Sequence, residues 1–339
     1  MLRLALSFSL LGLLTGILPA QQLQLPTANH ALFDAPAEFF QFVDRDFDGA
    51  KTTPWEGGQF GFVRDPRHIG GRIAYARFHE GLDIKPLQRD AKSNPQDEVG
   101  AIADGVVAYV AASAGLSNYG RYIVVQHSWG GSPFFSLYAH LASAQVSAGQ
   151  KVKAGTTLGI LGYTGSGIDQ RRAHLHVELN LFLSSRFETW HNSNFPTPNH
   201  HGLYNGLNLI GLDLQSLYLA QQKNPGLTAA SAVRATESSY RVAVPGDAEM
   251  EILKNYPWLL DGPRPSGKPA SWEVTFSRWG LPLAVKASSA PVGAPFVTWV
   301  KDSGIPHFTH TRGCVTGSGS TGKLTTEGLR FVKLATGWF

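Results

Sequence analysis

The sequence predicts a mainly β, antiparallel fold with a second, smaller α+β region behind it. Three observations lead there. The chain holds 37 glycines and 20 prolines, while charged residues make up only 16%. That mix suits short strands joined by many turns and argues against a helical bundle. Alternating β-branched and aromatic runs recur between residues 105 and 141. Finally, the stretch Ala173-His174-Leu175-His176-Val177-Glu178-Leu179, read with period two, puts His174, His176 and Glu178 on one face. Leu175, Val177 and Leu179 fall on the other. An apolar face wants a core, whereas two imidazoles and a carboxylate want water, a metal or a substrate.

At 339 residues the chain is long enough for about two domains with real cores. Residues 1–20 read as an export signal: Arg3 gives the positive start, 4–18 is an apolar run, and Ala20 suits the position before cleavage. The run is shorter than the ~20 residues of a membrane span, so no stable membrane insertion is expected after cleavage. The mature protein is expected in the periplasm, the cell envelope or the medium. Residues 21–65 form an N-terminal arm of little pattern. Within it, Asp44, Asp46 and Asp48 with Gly49 resemble the start of a calcium loop, but Trp55 stands at the twelfth position where a Glu is needed. The competing reading is an acidic surface turn. The arm precedes the first candidate ligand and shows no core of its own, so it is expected to cover the groove.

The segment 66–201 alternates strand and turn. Residues 105–111 and 121–127 are strands joined through Asn118-Tyr119-Gly120, which supplies turn chemistry. A strand is expected at 134–141, then two short ones at 149–152 and 155–159. The Gly-rich loop 162–169 lacks the Lys-Ser/Thr ending of a phosphate loop and leads into the histidine strand. Near residue 190 Pro196, Pro198, His200 and His201 mark a connector. The region 202–339 is expected to be an accessory domain. Asp213 caps a helix to about 222, stopped by Pro225-Gly226, and a second short helix covers 228–235. Strands follow at 240–244, 271–277, 281–287 and 296–300, with a final helix at 326–334.

Cys314 is the only cysteine, so no internal disulfide forms. The pI of about 9.1 accompanies a formal charge of +4. It suits an anionic envelope polymer as partner, and no basic cluster marks a nucleic-acid binder.

The second chemical clue is Phe78-His79-Glu80-Gly81-Leu82-Asp83. On a strand, His79, Gly81 and Asp83 share a face, and Gly81 leaves it open. Together with one His of the 174/176 pair this gives ligands of type N, O, N with a fourth position for water, the arrangement of a catalytic zinc site. Such a metal lowers the pKa of its water toward ~7 and polarises a carbonyl, so amide hydrolysis is the natural reaction. In 134–141, Ser136, Tyr138 and His140 share one face by parity. His140 and a neighbouring imidazole are therefore expected to divide the proton transfers.

Taken in order, these segments resemble the zinc metallopeptidase family M23, the lysostaphin/LytM type of peptidoglycan endopeptidase. The family pattern is His-x-x-x-Asp, then Tyr-x-His-Leu, then His-x-His, met here by His79–Asp83, Tyr138-Ala139-His140-Leu141 and His174-Leu175-His176. Landmarks at Asp104-Gly105, Tyr119-Gly120, Gly149-Gln150-Lys151-Val152 and Leu161-Gly162 agree, and the match runs from about 66 to 185. The resemblance implies zinc on His79, Asp83 and His176, with His140 and His174 catalytic. It implies a split-barrel type of antiparallel sheet with the groove across its polar face. It also implies an exported zinc endopeptidase that hydrolyses peptide bonds in peptidoglycan stems or cross-bridges. The alternative is a non-catalytic module on the same fold that grips the wall or activates an amidase, and bound zinc separates the two. One departure is Ile168-Asp169-Gln170-Arg171-Arg172, where the family more often has Ser/Thr-Gly-Pro. Arg171 and Arg172 are expected to alter which peptide sits at the end of the groove.

The remaining histidines are read as structural: His127 at a strand end, the pair His200-His201, and His307 with His310. Glu178 either orients a neighbouring imidazole or is a solvated strand residue. The tryptophans and phenylalanines after residue 202 are read as core rather than as a glycan platform.

Overall fold

The computed structural model describes residues 22–339, so the expected export segment at 1–20 lies outside the described residues. Among the described residues no helix is long and apolar enough to cross a membrane. The fold is mostly β and antiparallel, and no sheet among the described residues closes into a barrel.

Seven strands make the central sheet. Six run in the spatial order Lys151–Val152, Gly105–Ala111, Tyr122–Trp129, Ser132–Ala139, Leu175–Phe182 and Leu209–Gly211. The histidine strand Leu175–Phe182 is fully flanked. Ser132–Ala139 pairs along one edge, while Leu82–Ile84 and then Leu209–Gly211 share the other. Its odd residues Leu175, Val177, Leu179 and Leu181 are buried in the main apolar cluster. The even face, with His176, Glu178 and Asn180, is buried as well. A strand covered on both faces tolerates polar side chains only where each finds a partner.

Three glycines bring the segments of His79, Asp83 and His176 together. Gly70 and Gly71, at φ +57° and +74°, form the two-residue turn between Gly61–Ile69 and Arg72–His79. Both central residues of that hairpin turn need φ above zero, which glycine adopts without strain. Gly81 sits where the chain crosses onto the histidine strand. A Cβ there would lie 2.5 Å from the Val177 carbonyl oxygen and 3.0 Å from both His176 and Glu178. Glycine therefore lets Leu82–Ile84 pair in register, with Asp83 directly opposite His176.

The arm is not a loose cover. Leu32, Phe39 and Phe40 are at most 3% exposed and belong to the main cluster, and Phe40 forms a β-bridge with Ile84. Each buried phenylalanine contributes roughly 1.5–3 kcal/mol. The arm is thus part of the core, and its residues 43–46 also line the cleft described below. Among the described residues Asp44, Asp46 and Asp48 are not gathered into one metal-holding group. They lie on and beside the hairpin Arg45–Phe47/Ala50–Thr52, with Asp44 paired to Arg171 at 2.6 Å and Asp48 to His68 at 2.9 Å.

Beyond residue 201 the sequence pattern is met closely. The strands Tyr240–Pro245, Ser271–Phe276, Pro282–Ser288 and Phe296–Val300 form one antiparallel sheet. Asp213, Thr228 and Thr325 cap the helices Leu214–Lys223, Ala229–Ala235 and Thr326–Thr336 through their side chains. The strand Leu209–Gly211 adds to the central sheet, and the main apolar cluster runs without a break from Leu23 to Ala335.

Candidate metal centre

Three segments converge on one buried point. His79 ends its strand, Asp83 lies in Leu82–Ile84, and His176 is the second residue of Leu175–Phe182. His79 Nε2, His176 Nδ1 and Asp83 Oδ1 make a nearly equilateral triangle with edges of 3.1, 3.0 and 3.0 Å. Ligands ~2.1 Å from a tetrahedral zinc stand about 3.4 Å apart, so the triangle is only a few tenths of an ångström contracted. His174 Nε2 lies 3.3 Å from the same carboxylate oxygen.

The outward side of each ring decides what the inward side can do. His79 Nδ1 donates to the Gln59 carbonyl at 2.7 Å, His174 Nδ1 to the Arg172 carbonyl at 2.6 Å, and His140 Nδ1 to the Thr164 carbonyl at 2.9 Å. A carbonyl accepts only, so each of these nitrogens carries the proton. In the neutral rings Nε2 then keeps its lone pair. His176 is turned the other way: Nε2 meets the Glu178 carboxylate at 2.8 Å, which leaves Nδ1 for the centre. Lone pairs of His79 and His176 thus point at each other and at a carboxylate, with no donor between them. Such a set repels itself unless a cation or a proton occupies it. It fits a divalent metal of zinc type, with the Gln59 carbonyl, Glu178 and Arg64 already holding the outer sides of His79, His176 and Asp83.

The protonation equilibria say the same. Burial works against a charge on His176, but its hydrogen bonds to Asp83 and Glu178 and their charges outweigh that and push the imidazole up to about 10. Burial also opposes ionisation of Asp83, yet His174, His79 and Arg64 hold its carboxyl well below the usual range. The Arg64 guanidinium is bonded to Asp83 Oδ2, so the two carboxylate oxygens have separate tasks. Burial lowers His79, helped by Arg64. Burial and the neighbouring His174 and His176 hold His140 well below its ordinary value, so it is a neutral acceptor.

His140 reaches the site by a route that parity missed. The strand stops at Ala139, and Tyr138 and Ser136 face inward: Tyr138 lies in the main core, with its hydroxyl 2.8 Å from the Ile102 amide nitrogen. The expectation that His140 shares their face is corrected. Its φ of +64° turns the chain, so that its ring stands 4.8 Å from the His174 ring and 5.7 Å from the His176 ring. A non-glycine residue in the left-handed region costs on the order of 1 kcal/mol and marks a site where position matters more than local comfort. Its backbone amide donates to the Tyr119 carbonyl at 2.9 Å and helps fix the turn.

Glu178 is 1% exposed and accepts from the Tyr119 hydroxyl at 2.7 Å and from Asn180 at 2.9 Å besides His176. Of the two readings of Glu178, the structure supports the orienting partner. Tyr119, Asn180, Gln59 and Arg64 were not singled out as site residues from the sequence. Asn180 was within reach, since it follows Glu178 by two on the same face. Arg64 carries no local signal. His127 is a satisfied core residue, with Nδ1 donating to the Asp104 carbonyl at 2.8 Å. The whole centre lies in a cleft of about 1590 Å³, whose walls also include Tyr119, Arg172 and His201 and, from the C-terminal region, Phe308 and Arg312.

Part of the chain is similar to known proteins. The profile of peptidase family M23 matches residues 77–186. A protein of Haemophilus influenzae described as an uncharacterized metalloprotease is 35% identical over 121 residues, which is 35% of this chain and 22% of that protein. The chain thus spans about a fifth of that relative's length. The catalytic domain of lysostaphin from Staphylococcus simulans is 27% identical, over 36% of this chain and 75% of that one, with a TM-score of 0.25. The catalytic domain of the prophage-encoded M23 protein EnpA from Enterococcus faecalis is 19% identical, over 48% and 90%, with a TM-score of 0.27. A zinc-containing peptidase from Vibrio cholerae is 24% identical, over 40% and 41%, with a TM-score of 0.23. His79, Asp83, His140, His174 and His176 all fall inside the matched segment, and the chain carries a peptidase family M23 domain.

Proposed function

We propose that this protein is an exported zinc metalloendopeptidase that hydrolyses peptide bonds in bacterial peptidoglycan. The observation that carries the reading is the convergence of His79 Nε2, Asp83 Oδ1 and His176 Nδ1 within 3.1 Å of one another, each backed by its own outer partner. Those three atoms would hold the zinc. When bound, the metal supplies Lewis-acid polarisation and a more acidic water. The protein's own residues do the rest. Arg64 neutralises the outer oxygen of Asp83, and Glu178 fixes the His176 ring through Nε2. His140 and His174, each with Nδ1 committed to a backbone carbonyl, can exchange a proton only at Nε2. One of them accepts a proton from the attacking water, and the protonated partner donates to the developing oxyanion and the leaving amine. Burial keeps His140 neutral, which suits the accepting role.

A cleft of about 1590 Å³ is larger than the ~300–1,000 Å³ usual for a small-molecule site and accommodates a polymer segment. In this reading, residues 66–201 carry the chemistry and 202–339 act as an accessory region. The test is digestion of purified sacculi by the protein and by His176→Ala, with bound zinc measured in both. Equal release of fragments would end the proposal, and a wild-type protein that folds but carries no zinc would point to a wall-binding module instead.

A further inference from the structure

Six arginines line the cleft, of which Arg45 bonds to the Thr52 and Tyr75 hydroxyls and Arg77 is exposed. Arg64, Arg67 and Arg312 are each closed onto a carboxylate, of Asp83, Asp65 and Glu80 respectively. Arg172 is not. Its side chain is only 18% exposed, and Nε is buried without a hydrogen-bond partner among the described residues. Its one hydrogen bond is a long 3.3 Å contact from Nη1 to the Gly167 carbonyl. The nearest acid, Asp44, stands 3.9 Å from Nε and is already held at 2.6 Å by Arg171, which also stacks on Phe42. A mostly buried guanidinium with an unused donor is an expensive thing to leave unpaired. It is also next to the chemistry: the Arg172 carbonyl is what holds His174 Nδ1. Asp169 caps the short turn Gln170–Arg172 by accepting from the Arg172 amide, which sets the direction of the side chain.

We infer that Arg172 binds a carboxylate of the substrate peptide at the cleft wall beside His174, and so selects stems that carry a free acid close to the scissile bond. The inference rests on the peptidase reading above and specifies its substrate class. The planar fork of arginine matches a carboxylate with two parallel hydrogen bonds, and lysine does not reproduce it. The side chain does this work while the backbone positions His174, so substitution of the side chain is expected to move KM and to spare kcat.

The probe is one preparation of purified sacculi, divided in two, with the stem carboxylates of one half converted to methylamides. Wild-type protein is expected to show kcat/KM about tenfold higher on the untreated half, the scale of one charge-assisted contact. Arg172→Ala and Arg172→Gln should bring that ratio close to one through KM, and Arg172→Lys should retain part of it. Lys268→Ala, which removes an exposed charge outside the cleft lining, should keep the wild-type ratio. Zinc content and melting temperature of each variant show that the fold is intact. A wild-type protein indifferent to the conversion, or an Arg172→Ala variant with the wild-type ratio, overturns the inference. If zinc-loaded wild type cleaves neither half, the peptidase reading fails by itself. Co-sedimentation with the two halves then decides about Arg172: weaker retention of Arg172→Ala than of Lys268→Ala on untreated sacculi alone supports the anion site, and equal retention overturns it.

Discussion

The molecule holds two buried groups of histidines, and they are built on opposite principles. At the metal centre, His79, His174 and His176 surround the Asp83 carboxylate, and Glu178 stands behind His176. In the C-terminal region, His307 and His310 are at most 3% exposed, with ring centres 5.7 Å apart, and no carboxylate pairs with either. Among the described residues neither nitrogen of His307 has a hydrogen-bond partner, and His310 meets the Ser303 hydroxyl and the Pro306 backbone. Burial, Arg278 and His307 push His310 down to about 4, whereas carboxylates push His176 up to about 10. The spacing of histidines in sequence therefore says little about cation binding. What separates the two groups is the acid on one side and the fixed outer hydrogen bonds on the other.

The sharpest way to break that contrast is to remove one ring from each group. His176→Ala is expected to abolish stoichiometric zinc and to lower hydrolysis of labelled peptidoglycan by more than about a hundredfold, beyond the loss caused by removing an outer partner alone. His307→Ala should keep its zinc, because no carboxylate sits beside it. Elemental analysis of the two purified variants suffices, and zinc lost from the second but kept by the first would reverse the assignment.

The acid response tests the same contrast in terms of stability. His127, fully buried, is pushed by burial down to about 4 against the opposing backbone and charge of Asp104. The unfolded chain binds that proton near 6.5. Between these values the unfolded state carries a proton that the folded state refuses, so stability is full above pH 6.5 and is lost as the pH falls toward 4. The shift corresponds to about 3 kcal/mol at most, and His310 adds a loss of the same sign. Urea unfolding at pH 7 and pH 4.5 should show the decline, and His127→Asn should flatten it relative to wild type. Asp83, whose folded pKa is depressed, keeps its stabilising contribution above the unfolded carboxyl value near 3.9 and loses it only as the pH falls below that.

Much of this architecture was legible in the sequence, because period-two patterns and capping residues are local signals. The histidine strand, the four C-terminal strands and the helices capped by Asp213 and Thr228 follow from residues within a few positions of each other. Parity failed at His140, where one left-handed residue breaks the alternation that the inference relied on. The arm's share in the core was not legible for a different reason. Phe39 and Phe40 pack on partners far along the chain, and nothing near them announces it. Arg64 reaches Asp83 across 19 positions, a pairing that only the folded hairpin creates.

Smaller effects sharpen the picture of the outer partners. Glu178→Gln keeps the shape of the side chain but removes the charge behind His176 Nε2. Zinc affinity is expected to fall about 10–100-fold, measured by competition with a chelator, while the fold persists. A variant with unchanged affinity would mean that the hydrogen bond matters and the charge does not.

Tyr119→Phe is the mildest change and the most informative about how the centre is layered. The Tyr119 hydroxyl donates to Glu178 Oε1, the same oxygen that meets His176. Its loss removes one neutral-to-charged hydrogen bond two steps from the metal, worth about 1.5–3 kcal/mol if undiluted. Because Asn180 and His176 remain on Glu178, only part of that should reach the metal, so a several-fold weaker zinc affinity is expected, with kcat per bound zinc unchanged. Tyr119 also lines the cleft, so a second role is physically open to it. The two roles part in the kinetics. A fall in kcat at full zinc occupancy, larger than any change in affinity, would show the phenol acting on substrate rather than through Glu178. The layered description of the centre would then need Tyr119 moved from support to chemistry.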